Sequence, residues 1–94
     1  MSGERQRVDV WLWRARFAKT RAAATRLVNE GGVRLVRNGG SRQLEKPSAE
    51  IEVGDTLLIP AGQSVRVIEI AALPSRRGPA AEARALYAER DAEG

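Results

Sequence analysis

Hydrophobic and polar positions change their spacing along this chain, and each change predicts a different element. From Arg7 the spacing is helical: Val10, Trp13 and Phe17 recur at i, i+3 and i+7, and Asp9 stands where it can cap the first turn. Trp11, Leu12 and Ala15 lie off that stripe, so this helix is apolar around much of its circumference and is predicted to be sandwiched. A second helix is predicted over residues 21–30, with Thr20 as N-cap and Gly31-Gly32 as the stop. Ala23, Ala24, Leu27 and Val28 form its apolar stripe, while Arg21, Thr25, Arg26 and Asn29 face away. So few residues separate the helices, around Ala18 and Lys19, that they must meet in a tight hairpin or corner.

Beyond Gly32 the period becomes two. Residues 33–36 read as a strand and Asn38-Gly39-Gly40 as a turn. Lys46-Pro47-Ser48 is excluded from a central strand, because proline breaks the ladder. Val53-Gly54-Asp55 is a turn into a strand of Thr56, Leu57, Leu58 and Ile59, and residues 60–63 form another turn. Residues 64–71 alternate, with Val65 and Val67 on one side and Arg66 expected outward. Ser75-Arg76-Arg77-Gly78-Pro79 is a linker, and its proline suits the first turn of a last helix over residues 80–90. Tyr87 is expected to dock that helix on the domain, and of Trp11 and Trp13 one is expected in the core and the other partly exposed. The economical architecture is α+β, a two-helix hairpin packed on a small antiparallel sheet plus a C-terminal helix.

Composition narrows what such a fold can do. A chain of 94 residues supports one core, and a hydrophobic share of 43% is enough to fold it. The chain has no cysteine and no histidine, which removes thiolate chemistry, disulfides, the commonest metal ligands and the usual general base. No enzyme activity, cofactor, metal or small-molecule substrate is expected. Val8 to Phe17 is interrupted by Asp9, Arg14 and Arg16, and no stretch approaches the roughly 20 apolar residues of a membrane span. The expected setting is the cytoplasm, without a membrane partner.

Charge adds the strongest functional signal. Residues 1–46 hold eleven Lys or Arg against four acids, while residues 47–94 hold five against eight. The net +4 therefore hides a first half at +7, and a positive face of that strength calls for a polyanion. Fourteen of the sixteen cations are arginine, whose planar fork pairs phosphates and stacks on bases. At Lys19-Thr20-Arg21 a phosphate would meet two cations and the unpaired amides that open a helix.

Arg7-Val8-Asp9, Leu12-Trp13, Ala15-Arg16-Phe17, Lys19-Thr20-Arg21, Ala24, Gly32-Val33 and Asn38-Gly39 together resemble the S4 RNA-binding domain. Trp11-Leu12-Trp13, Lys19-Thr20-Arg21 and a tail of Arg76-Arg77-Gly78-Pro79-Ala80 running to Leu86-Tyr87 are similar to the ribosome-associated heat-shock protein 15 family. Val36-Arg37 lengthen the first strand, and Gly40 to Glu45 lengthen the path to Lys46. The resemblance implies an S4-type RNA-binding domain over residues 7–72, followed by a basic linker and helix over 73–94. It also implies a non-enzymatic monomer that binds structured ribosomal RNA on large subunits stalled with nascent chain-tRNA. The RNA-contact residues so implied are Arg7, Arg14, Arg16, Lys19, Thr20, Arg21, Arg26, Arg34, Arg37, Asn38, Arg42 and Lys46. The alternative is a DNA-binding or general nucleic-acid module, since a basic helix pair also serves groove recognition.

Overall fold

The computed structural model describes residues 3–90. Helix α2 (Arg21–Asn29) begins and ends where its end residues direct: the Thr20 hydroxyl accepts from the Ala23 amide at 2.9 Å, and Gly31 takes a φ of 76° just beyond the helix. Ala24 and Val28 are fully buried, Ala23 and Leu27 partly so.

Helix α1 (Val8–Arg14) departs from its expected stripe. Val8, Trp11, Leu12 and Ala15 are buried, whereas Val10, Trp13 and Phe17 are half-buried. The helix stops at Arg14, and the chain turns through Arg16 at a φ of 68°, so Phe17 lies on no helical face. Trp11 is the core tryptophan and Trp13 the partly exposed one. Asp9 is not the cap: Arg7 occupies that position without a capping side-chain bond, and Asp9 lies inside the first turn, fully buried. Capping would have left it at the surface; Arg7 and Arg21 hold it inward instead.

The strands β2 (Arg34–Arg37), β3 (Gly40–Gln43), β5 (Thr56–Ala61), β6 (Ser64–Ile70) and β7 (Tyr87–Arg90) form one antiparallel sheet in the order β3-β2-β5-β6-β7. A separate ladder joins β1 (Gln6–Arg7) to β4 (Glu50–Ile51). Asn38 and Gly39, at φ of 53° and 82°, make the two-residue turn whose twist suits a β2–β3 hairpin. Pro60 lies in β5 rather than in a turn. Only Thr56, Leu57 and Leu58 pair with β2, so Pro60 sits beyond that ladder and costs it no donor.

On β6, Ile68 and Ile70 point inward and Val65 is 46% exposed. Arg66 shares their face, contrary to the expected outward placement. Its guanidinium lies 4.9 Å from the Phe17 ring centre and forks onto Glu89 of β7. One core joins the helices to this inner face through Trp11, Leu12, Val28, Leu35, Leu57 and Ile68.

The expected helix over residues 80–90 forms only in its first part, as α3 (Ala80–Ala83) and a 3-10 turn (Arg84–Leu86). The remainder becomes β7, with Tyr87 opposite Ile70 and Arg90 opposite Val67. Tyr87 docks this segment from a strand, packing at 4.8 Å on Phe17 and 6.4 Å on Trp11 between ring centres. Residues 91–94 of the expected C-terminal segment lie outside the described residues. Among the described residues no helix is long and apolar enough to cross a membrane.

Candidate nucleic-acid interface

A buried carboxylate organises the basic side of the helix pair. Arg7 donates to both Asp9 oxygens, through Nε at 3.0 Å and Nη2 at 2.9 Å. From α2, Arg21 approaches the same carboxylate at 3.7 Å, and the Thr25 hydroxyl donates to it at 3.3 Å. The hydrogen bonds with Asp9 raise the pKa of Arg7 above its ordinary value, so this cation does not titrate in any usable range. Two guanidiniums share one carboxylate, which leaves one positive charge in excess. Both side chains remain about half exposed, at 49% and 50%; Arg7 is held by two hydrogen bonds, while Arg21 stands at ion-pair distance.

Backbone bonds bring a third segment to this cluster. The Val8 amide donates to the Ala49 carbonyl at 2.8 Å, and the Asp9 amide to the Pro47 carbonyl at 3.3 Å. Lys46, Ser48 and Ala49 thereby lie beside the start of α1. They line an open depression of about 560 Å³ with Arg42, Gln43 and Glu45. Lys19 and Arg26 are exposed on either side of Arg21 along the chain, and Thr20 is exposed although its hydroxyl caps α2. Arg7, Lys19, Thr20, Arg21 and Arg26 therefore belong to the helix pair, with Arg42 and Lys46 across the adjoining depression.

The other expected contact residues are placed elsewhere. Arg14 Nη1 donates to the Pro74 carbonyl at 2.7 Å and Arg16 Nε to the Gly78 carbonyl at 2.8 Å, so both reach toward the C-terminal linker. Arg34 is exposed on the sheet beside Ser41, and Asn38 is exposed at the hairpin tip. Arg37 forks onto Asp55 at 2.8 and 2.7 Å, which raises its pKa, and stands 3.7 Å from Glu52. Reading the chain by its pattern passed over three participants: Asp9 as an anchor rather than a cap, Thr25 as its inward-turned partner, and Ser48 in the depression. A lone acid two residues from an arginine in an otherwise basic stretch was the available signal for Asp9.

The family model of the S4 domain matches residues 6–35, which contain α1, α2 and the whole Asp9 cluster. The trimeric structure of Vibrio cholerae heat shock protein 15 is 39% identical to this chain at a TM-score of 0.79, covering 93% of this chain and 83% of that one. This chain belongs to the heat shock protein 15 family. Heat shock protein 15 of Escherichia coli (strain K12) is 42% identical over 83 residues, which cover 88% of this chain and 59% of that protein. The small ribosomal subunit protein uS4 of Erythrobacter litoralis is 38% identical over 76 residues, covering 79% of this chain and 35% of that protein. The chain thus spans under two thirds of the E. coli heat shock protein 15 it matches.

Proposed function

We propose that this protein is a non-enzymatic RNA-binding module that grips the phosphate backbone of structured RNA with the helix pair and the adjoining depression. The observation that carries this reading is the Asp9 cluster, where one buried carboxylate draws Arg7 and Arg21 together with each side chain about half exposed. A cation fixed before binding, as Arg7 is, loses little entropy on meeting a phosphate. The footprint comprises Arg7, Lys19, Thr20, Arg21, Arg26, Arg42 and Lys46. Arg34 and Asn38 extend it along the hairpin, and Arg37 braces the sheet beneath.

The finer reading is that the RNA is ribosomal, on a large subunit stalled with nascent chain-tRNA, and that the protein works in the cytoplasm. Membership in the heat shock protein 15 family and similarity to a ribosomal protein support the ribosomal partner. One copy carries every footprint residue, so the monomer is the binding unit; the Vibrio cholerae relative is trimeric. Crosslinking in cell extract, followed by sequencing of the recovered RNA, tests this reading, with large-subunit ribosomal RNA the expected product. Equal affinity for duplex DNA and folded RNA at matched salt would favour the general nucleic-acid alternative.

A further inference from the structure

A second group of cations surrounds the crossing of α1 with the C-terminal linker, and it is bonded differently. Arg14 donates to the Pro74 carbonyl and Arg16 to the Gly78 carbonyl. In return Arg77 Nε donates to the Trp13 carbonyl at 3.0 Å, with its guanidinium 5.7 Å from the centre of the Trp13 ring. Neighbouring Arg76 pairs with Glu82. Unlike Asp9 or Asp55, a carbonyl is neutral, so these bonds orient Arg14, Arg16 and Arg77 without cancelling their charge. A clasp alone could be made from neutral donors, without setting three like charges on one crossing.

The atoms used are informative. Arg16 and Arg77 each give the inner Nε to the clasp, which leaves the terminal Nη pair for another partner. Arg7, Arg37 and Arg66, by contrast, spend Nε together with Nη2 on a carboxylate. The end-on Nη pair is a geometry that meets two phosphate oxygens. Its place over the Trp13 ring further restricts the Arg77 guanidinium. Arg16 also holds a φ of 68°, a conformation that a non-glycine residue adopts at a cost.

We propose that Arg16 and Arg77 form a second phosphate-binding site for the same RNA, at the α1–linker crossing and separate from the Asp9 cluster. It rests on the RNA-binding reading. The RNA backbone passes from Arg21 and Lys19 onto this crossing, so the linker is part of the binding surface.

The test compares two double variants, Arg16→Gln with Arg77→Gln and Arg16→Lys with Arg77→Lys, using end-labelled fragments of large-subunit ribosomal RNA. Both variants lose the arginine fork, but only the lysine pair keeps the charge. The glutamine pair is expected to weaken binding about tenfold and to flatten the slope of log affinity against log salt by roughly 1.4–1.8, two contacts' worth. The lysine pair is expected to keep the wild-type slope. Equal losses in both variants would assign the crossing a structural role and overturn the proposal, as would a wild-type slope in the glutamine pair. Wild-type protein that fails to bind this RNA would overturn the underlying RNA reading as well, an outcome visible before any variant is made.

Discussion

Two buried aspartates, Asp9 and Asp55, are each gripped by an arginine through both carboxylate oxygens, yet their surroundings differ in charge balance. Asp9 meets Arg7 and Arg21, two cations on one carboxylate. Asp55 and Glu52 meet Arg37 and Arg5, a balanced set, and Asp55 also accepts from the Glu52 amide at 2.8 Å. The Asp9 cluster ties helix to helix and leaves positive charge at the surface. The Asp55 cluster ties β2 to the turn before β5 and leaves none. On the proposed reading, the same bidentate pair serves binding where cations are in excess and bracing where they are not. The pair alone is therefore a poor guide to function, and the residual charge around it is the useful quantity.

The largest expected effect falls on the brace. Arg37→Met strands Asp55, which is 2% exposed, without its guanidinium. The cost is about 2–4 kcal/mol, which lowers the melting temperature by about 10 °C or more. Circular dichroism melts measure the loss, and RNA titrated well below the melt should bind within about twofold of wild type. An unchanged melt would erase the contrast between the clusters.

Asp9→Asn sharpens it from the other side. The net charge rises by one, so an unstructured positive patch would bind RNA more tightly. A positioned site should instead bind about tenfold more weakly, a change of about 1.4 kcal/mol, because Arg7 and Arg21 lose their common anchor. Fluorescence titration decides the sign, and tighter binding would mean that charge alone matters.

Arg42→Gln with Lys46→Gln is a milder change, since both residues are exposed and have no carboxylate partner among the described contacts. The salt slope should flatten by roughly 1.4–1.8 while the melt stays put.

The smallest effect concerns pH. Glu89 is held below the ordinary carboxylate range by its hydrogen bonds from Arg66. The contribution of this exposed pair is fully present above the ordinary carboxylate pKa and is lost as pH falls through the lowered folded value. In acid-range melts, Arg66→Met should therefore lower the melting temperature at neutral pH by a few degrees at most, and by less once Glu89 is protonated, when only its contact with Phe17 is lost.

Features set by local chemistry were legible in the sequence. Thr20, Gly31 and the Asn38-Gly39 turn act within a few residues of themselves, so the limits of α2 and the hairpin tip could be read directly. Features set by distant partners were not. Asp9 looks like a cap until Arg21 and Thr25 are brought to it from the next helix. Strand β3 consists of Gly40, Ser41, Arg42 and Gln43, all exposed, so no alternation marks it. The alanine-rich run after Pro79 favours helix, but pairing with β6 and the contact of Tyr87 with Phe17 outweigh that preference from residue 87 onward. Positive charge in the first half was plain; which cations carry neutral partners and which carry acidic ones required the fold.

The core of α1 is finished by residues far along the sequence from it. Trp11 donates its indole N–H to the Ala72 carbonyl at 3.0 Å and stacks on Phe17, which in turn meets Tyr87. During synthesis the helix pair emerges first, but its apolar side stays uncovered until residues 72 and 87 have been added. Completion of this core must therefore wait for residues 72 and 87, with loop closure across more than 60 residues. A ribosome making this protein holds an incomplete, exposed core until β7 arrives, and the order of synthesis sets when the basic face of the helix pair first exists.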